Sequence, residues 1–248
     1  IRSRIDLGFD SRPHSVVFLR DSRHVITTME LSEAIALVDV VDGEVVRSWP
    51  TGGVDSHMVR LAPDERRAYV AARGGGTLSV IWLDEERAPV VVETGAGAEG
   101  IAVSPAGDEI WIANRGSETV SVVNAETLEI TATIPVAPTN RIEFLPDGQA
   151  VIANGANADG SLRYVDFFSG DTKQRTRRVS VAGAAEGGTG IRLLAADDRL
   201  FFADSATDSI LVVEPGADDA PQRVVISADN PDGMAWSPRR VAVLADAE

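Results

Sequence analysis

Residues 100–136 read GIAVSPAGDEIWIANRGSETVSVVNAETLEITATIPV, and this stretch decides the fold of the chain. It contains four short apolar runs, at 101–104, 110–113, 119–123 and 130–134, separated by turn residues. The third run alternates in polarity and is rich in β-branched residues, a pattern typical of a half-buried strand. The Pro, Gly, Asp and Asn residues between the runs favour tight turns. The stretch therefore predicts four consecutive β-strands joined by short turns.

The same four-run unit recurs along the chain. Copies begin near residues 14, 57, 99, 140, 189 and 232, at intervals of 43, 42, 41, 49 and 43 residues. A period of about 40 to 45 residues with four strands in each unit is the signature of a propeller blade. We therefore predict a single all-β domain over residues 1–248. It is expected to be a β-propeller of about six four-stranded blades, with seven blades as the alternative.

Particular motifs in these units resemble a known repeat. The motifs IWIAN at 110–114 and TVSVV at 119–123, together with Pro13-His14 ahead of an apolar run, resemble the YVTN-type β-propeller repeat family. The resemblance extends over nearly the whole chain and is clearest in the third unit. It implies the propeller fold, but it does not imply one function, because propellers serve as binding modules, scaffolds and enzymes.

The two ends of the chain each supply part of a unit. Residues 1–8 match only the last strand of a unit, whereas the unit near 232 supplies only its first two strands. We expect one closing blade to be shared between the N- and C-termini, with residues 1–8 as its outer strand, since ring closure removes exposed sheet edges. Because a third strand is missing, we expect the natural chain to continue beyond Glu248 or residues to be absent. A three-stranded closing blade is the alternative.

The composition of the chain limits the classes of partner and cofactor that it can bind. The chain has 38 acidic and 23 basic residues, a net charge of −15, which disfavours nucleic acid as a partner. It has no Cys, so disulfides and thiolate metal sites are excluded. No apolar run approaches the roughly 18 to 20 residues of a membrane span. We expect a monomeric bacterial protein in the periplasm or secreted, with a cytoplasmic location as the alternative.

The candidate binding residues follow from the repeat. In a propeller, the position just before each innermost strand points toward one mouth of the central channel. These positions are His14, His57, Glu99, Asn140, Thr189 and Asp232. A second ring, at the ends of the second strands, includes Asn114, Asn154 and Asp204.

This ring could hold a divalent metal. Imidazole and carboxylate donors suit such a cation, with Ca, Zn or Mn as candidates. The proposed metal ligands are His14, His57, Glu99 and Asp232. The alternative is a hydrated mouth without a cofactor, in which the polar residues only orient turns.

Two functions compete on this evidence. The first is a non-catalytic binding or scaffold propeller that holds a protein or small-molecule ligand at its channel-mouth face. The second is a metal-dependent hydrolase similar to six-bladed gluconolactonase-type propellers, in which a cation polarises a lactone carbonyl and activates water. The resemblance would then make His14 or His57 a proton carrier. Its metal ligands would be Glu99, Asn140 or Asn154, Asp204 and Asp232.

Three weaker features complete the sequence evidence. A propeller that packs beside a redox protein is a third hypothesis, but the chain has no C-x-x-C-H haem motif of its own. The GGTG stretch at 187–190 has no helix after it, so the helix N-terminus of a phosphate site is missing. A basic cluster is predicted on an outermost strand, where it would dock an acidic partner or discourage edge pairing. Its members are Lys173, Arg175, Arg177 and Arg178.

Overall fold

A computed structural model describes residues 4–154, 164–180, 192–196, 199–204, 208–214 and 222–225. All regular elements in these ranges are β-strands, and no helix suited to crossing a bilayer occurs among them. The first ten strands are β1 (Pro13–Phe18), β2 (His24–Met29), β3 (Ala34–Asp39), β4 (Glu44–Pro50), β5 (Ser56–Leu61), β6 (Arg67–Ala72), β7 (Thr77–Trp82), β8 (Val90–Glu93), β9 (Ala98–Val103) and β10 (Glu109–Asn114). The next ten are β11 (Thr119–Asn124), β12 (Ile130–Pro135), β13 (Thr139–Phe144), β14 (Gln149–Asn154), β15 (Tyr164–Ser169), β16 (Arg175–Ser180), β17 (Arg192–Ala196), β18 (Arg199–Asp204), β19 (Ser209–Val213) and β20 (Gln222–Val225).

Each set of four consecutive strands forms one antiparallel sheet, and the strands pair in chain order. We name these sheets blade 1 (β1–β4), blade 2 (β5–β8), blade 3 (β9–β12), blade 4 (β13–β16) and blade 5 (β17–β20). The first strands contact one another in the order β1, β5, β9, β13, β17, so they line the inside of the arrangement. The prediction of an all-β propeller with four-stranded blades is confirmed.

The blade count differs from the prediction. The described residues form five blades, whereas the repeat predicts about six, with seven as the alternative. The sixth unit begins near 232, outside the described residues, and so does the start of the fifth unit near 189. The expected outer strand at 1–8 is not a strand over residues 4–8. Its expected sheet partners belong to the unit near 232, and Ile5 and Leu7 instead pack on the apolar face of blade 1.

The turn between the first two strands of blade 3 shows why its residue types recur. Gly107 adopts a φ of +79°, in the left-handed region that favours glycine. Its N–H donates to the Ser104 carbonyl at 2.8 Å, and the Ser104 hydroxyl donates to Asp108 Oδ1 at 2.6 Å. A side chain at position 107 would also collide with Pro63, because an added Cβ would lie 2.7 Å from that ring. The turn therefore requires glycine and closes the hairpin tightly.

Apolar side chains between neighbouring blades hold the inner strands in place. Trp111 in β10 is fully buried between blades 3 and 4, and its ring meets Phe144 edge to face, with centroids 5.4 Å apart. Truncating a buried aromatic residue of this size to Ala typically costs about 3–5 kcal/mol. This packing sets the distance between β9 and β13. It therefore also sets the distance between the residues at which these two strands begin.

Candidate ligand site at the channel mouth

The inner strands bring three of the predicted site residues together. His14, His57 and Glu99 are each the second residue of an inner strand, in β1, β5 and β9. The rings of His14 and His57 stack with centroids 3.7 Å apart, and His57 Nε2 lies 3.5 Å from Glu99 Oε1. His57 and Glu99 are buried, whereas His14 keeps an exposed edge. Two imidazoles and one carboxylate therefore meet at one end of the inner strands.

Glu30 joins this cluster, and the sequence reasoning missed it. It follows the last residue of β2, its side chain is buried, and its Oε1 accepts a hydrogen bond from His57 Nδ1 at 2.5 Å. The residue after the second strand is Arg73 in blade 2 and Arg115 in blade 3. A charged residue at the same position of three successive repeats was a signal in the sequence, one residue beyond the ring that was chosen.

Hydrogen bonds fix the orientation of both imidazoles. His14 Nδ1 donates to the His57 carbonyl at 3.1 Å, so its Nε2 carries the free lone pair when the ring is neutral. The Thr28 hydroxyl donates to the same carbonyl at 3.0 Å. His57 in turn lies between two carboxylates, those of Glu30 and Glu99. The cluster is therefore a built network rather than a chance gathering of side chains.

The pKa values of two members reveal the local electrostatics. Burial raises the pKa of Glu99, but the His57 hydrogen bond and the charges of His57, Arg115 and Arg141 outweigh it and hold this pKa at about 2. Burial and the neighbouring His57 both lower the pKa of His14. At neutral pH, Glu99 is therefore an anion and His14 is a neutral ring.

The cluster includes a set of metal-type donors. Ligand atoms of His14, Glu30 and His57 all lie within 4.8 Å of one another. Two imidazoles and a carboxylate suit Zn or Mn but not Ca, which prefers six to eight oxygens. Glu30 Oε1 accepts the His57 hydrogen bond at 2.5 Å, whereas Glu30 Oε2 is buried without a hydrogen-bond partner, although Arg12 Nε lies 3.0 Å from it. A metal bound through His57 Nδ1 or Glu30 Oε1 would have to displace the hydrogen bond between them.

The amide residues of the second ring lie inside their blades. Asn114 is fully buried and its Nδ2 donates to Ser121 Oγ at 2.9 Å, while Asn154 is fully buried and its Nδ2 donates to Asp166 Oδ2 at 3.2 Å. Both side chains thus join the second strand of a blade to its third strand. The structure gives them a role within the sheets and does not bring them into the histidine cluster.

The remaining predicted site residues are only partly described. Asn140 is the second residue of β13, equivalent to His57 and Glu99, and Asp204 ends β18. Thr189 and Asp232 lie outside the described residues. The predicted ligand set of His14, His57, Glu99 and Asp232 is therefore described for its first three members.

The predicted basic cluster is engaged with its own blades. Lys173 Nζ contacts the Glu109 carboxylate at 2.5 and 2.6 Å, and Arg178 makes two hydrogen bonds to Asp166, at 2.6 and 2.7 Å. Arg175 lies 3.9 Å from the same aspartate, and Arg177 lies over the ring of Phe167 at 5.5 Å. Lys173 therefore links blade 4 to blade 3, and the three arginines make contacts within blade 4.

A cavity of about 510 Å³ lies at the opposite ends of the inner strands. Its lining includes Leu61, Val103 and Phe144, which end or nearly end β5, β9 and β13. An ion pair between Arg60 Nη2 and Glu143 Oε1, at 2.8 Å, lines the same space. Its volume suits a small ligand. The histidine cluster nevertheless has more buried ionisable groups in mutual contact than the lining of this cavity, so it is the stronger candidate site.

These observations define a β-propeller with a polar cluster at one end of its inner strands, and solved structures share the fold. Hydrazine synthase of Kuenenia stuttgartiensis superposes with a TM-score of 0.77 at 16% identity, covering 91% of this chain and 69% of that one. Virginiamycin B lyase from Staphylococcus aureus gives 0.74 at 14%, covering 90% and 73%. The dihydro-heme d1 dehydrogenase NirN, in complex with DHE, gives 0.67 at 14%, covering 87% and 47%.

The comparisons show the fold and not a family. No protein-family model matches the chain, and no curated protein matches it. The resemblance to YVTN-type repeats therefore stays a prediction. The three solved neighbours are, by name, a synthase, a lyase and a dehydrogenase, so the shared fold transfers no particular activity.

Proposed function

We propose that this protein is a non-catalytic binding propeller that holds a small-molecule or protein ligand at the mouth formed by His14, Glu30, His57 and Glu99. One observation carries the proposal: a buried histidine lies between two buried carboxylates at the ends of the inner strands. Burying ionisable groups costs free energy unless each is paired. A propeller needs no such cluster to fold, so its presence supports a role in binding.

A ligand screen by thermal denaturation tests this proposal. A ligand at 100 times its Kd stabilises the folded state by about 2.7 kcal/mol, which raises the Tm of a domain this size by roughly 5–10 °C. We expect such stabilisation in the wild type and its loss in His57→Gln. Because His57 is buried, the exposed His14→Gln serves as a second variant, and circular dichroism checks that both fold. Stabilisation that survives in both variants would place the ligand elsewhere and reject the proposal.

A metal-dependent hydrolase is the second candidate. The observation that favours it is the mutual approach of His14, Glu30 and His57 ligand atoms within 4.8 Å. The three residues would hold Zn or Mn, and the metal would polarise a lactone or ester carbonyl. The test is a panel of lactones and esters assayed with each metal. Turnover that EDTA abolishes and that His14→Gln lacks would favour the hydrolase over the binding propeller.

A further inference from the structure

The same backbone pairing is repeated at the mouth in three successive blades. In each blade, the residue after the second strand donates its N–H to the carbonyl of the residue two positions before the inner-strand histidine or glutamate. These hydrogen bonds are Glu30 to Arg12 at 3.2 Å, Arg73 to Asp55 at 2.9 Å and Arg115 to Gly97 at 3.0 Å. The side chains of each pair therefore start from neighbouring points.

The side chains of these pairs balance charge in two blades but not in the third. In blade 1, Arg12 Nε lies 3.0 Å from Glu30 Oε2, and in blade 2, Arg73 Nε lies 2.8 Å from Asp55 Oδ2. In blade 3 the partner position is Gly97, which has no carboxylate. Arg115 reaches only toward Glu99, at 3.7 Å from Nη1 to Oε2, which is beyond hydrogen-bonding distance.

The guanidinium of Arg115 is consequently available at the mouth. It is 56% exposed, and among the described residues its side chain makes no hydrogen bond. Glu99 cannot saturate it, since that carboxylate is shared with His57. An arginine presents five N–H donors in a planar fork that matches carboxylate and phosphate oxygens.

Three arginines face three carboxylates at the mouth, and the blade 3 pair is the loosest. The N···O distances are 3.0 Å for Arg12 and Glu30, 2.8 Å for Arg73 and Asp55, and 3.7 Å for Arg115 and Glu99. Glu99 also accepts from His57, and the charges of Arg115 and Arg141 help to lower its pKa. Arg115 is therefore the cation of these three pairs whose carboxylate is shared most.

From this geometry we propose that the channel mouth binds an oxyanion, the carboxylate or phosphate group of a small ligand, with Arg115 as its principal contact. This inference rests on the proposed function and names the chemistry of its ligand. Charge-assisted hydrogen bonds to a guanidinium are about twice as strong as hydrogen bonds between neutral groups. A divalent cation would instead be repelled by the Arg115 guanidinium at the same place.

Isothermal titration calorimetry with defined anions tests the inference. The probes are succinate and inorganic phosphate at pH 7, in buffers of matched ionic strength. Chloride, added as its sodium salt, is the reference anion. We expect saturable binding of at least one oxyanion that weakens as salt is raised. Arg115→Gln is expected to weaken it about tenfold or more, corresponding to about 1.4 kcal/mol. Succinate without phosphate would identify a carboxylate ligand, and the reverse a phosphate ligand.

Arg66→Gln is the matched control, since it removes the same charge from an exposed arginine in the turn after β5, at the opposite ends of the inner strands. We expect it to bind as the wild type does. Equal weakening in both variants would reduce the effect to net charge and overturn the inference, and so would the absence of saturable oxyanion binding. Saturable Zn or Mn binding that His14→Gln abolishes, without oxyanion binding, would overturn the inference while keeping the mouth as the ligand site. Oxyanion binding that is unchanged in Arg115→Gln, His14→Gln and His57→Gln would reject both proposals.

Discussion

Replacing Ala72 with Asn should stabilise the protein, because blade 3 shows what that position lacks. Ala72 pairs with Thr77 in blade 2, as Asn114 pairs with Thr119 in blade 3. Asn114 donates to Ser121 Oγ at 2.9 Å and to Thr119 Oγ1 at 3.2 Å. The equivalent hydroxyls of blade 2, on Thr77 and Ser79, are buried without a hydrogen-bond partner.

Space for the new side chain is indicated by the glycine that covers each position. An added Cβ on Gly95 would lie 2.9 Å from Asn114 Cγ, and one on Gly53 would lie 2.7 Å from Ala72 Cβ. Both positions therefore require glycine. Because Gly95 has no side chain, the space beside it is open, and the Asn114 side chain occupies that space. We expect the blade 2 opening to accept the same amide.

The expected magnitude is a difference of two terms. Two new hydrogen bonds contribute about 1 kcal/mol each, and burying the amide oxygen without a partner costs about 1 kcal/mol. The Asn114 oxygen is itself buried without a partner, so this cost is already present in blade 3. The net gain for Ala72→Asn is about 1 kcal/mol, and the reciprocal Asn114→Ala should lose about 1–2 kcal/mol.

Thermal denaturation followed by circular dichroism measures both changes. For a domain this size, about 1 kcal/mol shifts the Tm by roughly 2–4 °C. Ala72→Asn should raise the Tm and Asn114→Ala should lower it, while Ala72→Ser, which is too short to reach both hydroxyls, controls for polarity alone. A lower Tm in Ala72→Asn would show that blade 2 lacks the space, and the reasoning from equivalent positions would then be wrong.

Three further changes test other contacts. Glu99→Gln should flatten the pH dependence of stability: the pKa of Glu99 is lowered from 4.5 to about 2, so its contribution is full above about 4.5 and is lost as the pH falls toward 2. A Tm series over that range should therefore fall less in the variant than in the wild type. Lys173→Met should cost about 1–3 kcal/mol, because it leaves Glu109 without its cation, and a double-mutant cycle with Glu109→Gln isolates the pair. Arg178→Leu should cost about 1–3 kcal/mol, because the buried Asp166 loses two charged hydrogen bonds while it keeps the Asn154 donor and the more distant Arg175, and Asp166→Asn in the same chain should recover part of it.

For each of these three variants, one outcome would contradict the interpretation of the contact. Parallel Tm curves for Glu99→Gln and the wild type would show that the glutamate titrates normally. A zero coupling energy between Lys173 and Glu109 would reduce their contact to a surface ion pair of little value. An unchanged Tm in Arg178→Leu would mean that water replaces the guanidinium around Asp166.

The repeat made the fold predictable, since strand alternation and turn residues are local properties of the chain. The register followed too: His14, His57 and Glu99 occupy the same place in three inner strands because their spacing matches the blade period. The number of blades did not follow in the same way, because the sixth unit near 232 falls outside the described residues.

The site was predictable only where the repeat alone decides it. Glu30 was missed because its partner, His57, lies in the next blade, and contacts between blades depend on packing rather than on period. The positions of Asn114 and Asn154 at strand ends predict that both lie at the mouth. Their side chains instead enter the sheet, because hydroxyl and carboxylate acceptors on the third strand attract the amide.

The strands of the described ranges pair only with their neighbours in the chain, and this affects how the molecule unfolds. Each sheet can be assembled from short hairpins without closing a long loop, which lowers the entropic barrier to its formation. A weakened sheet can likewise open while more distant sheets keep their hydrogen bonds. Amide hydrogen exchange should therefore report the destabilisation of each sheet separately. In Asn114→Ala, we expect the exchange rate to rise more in β9–β12 than in β1–β4.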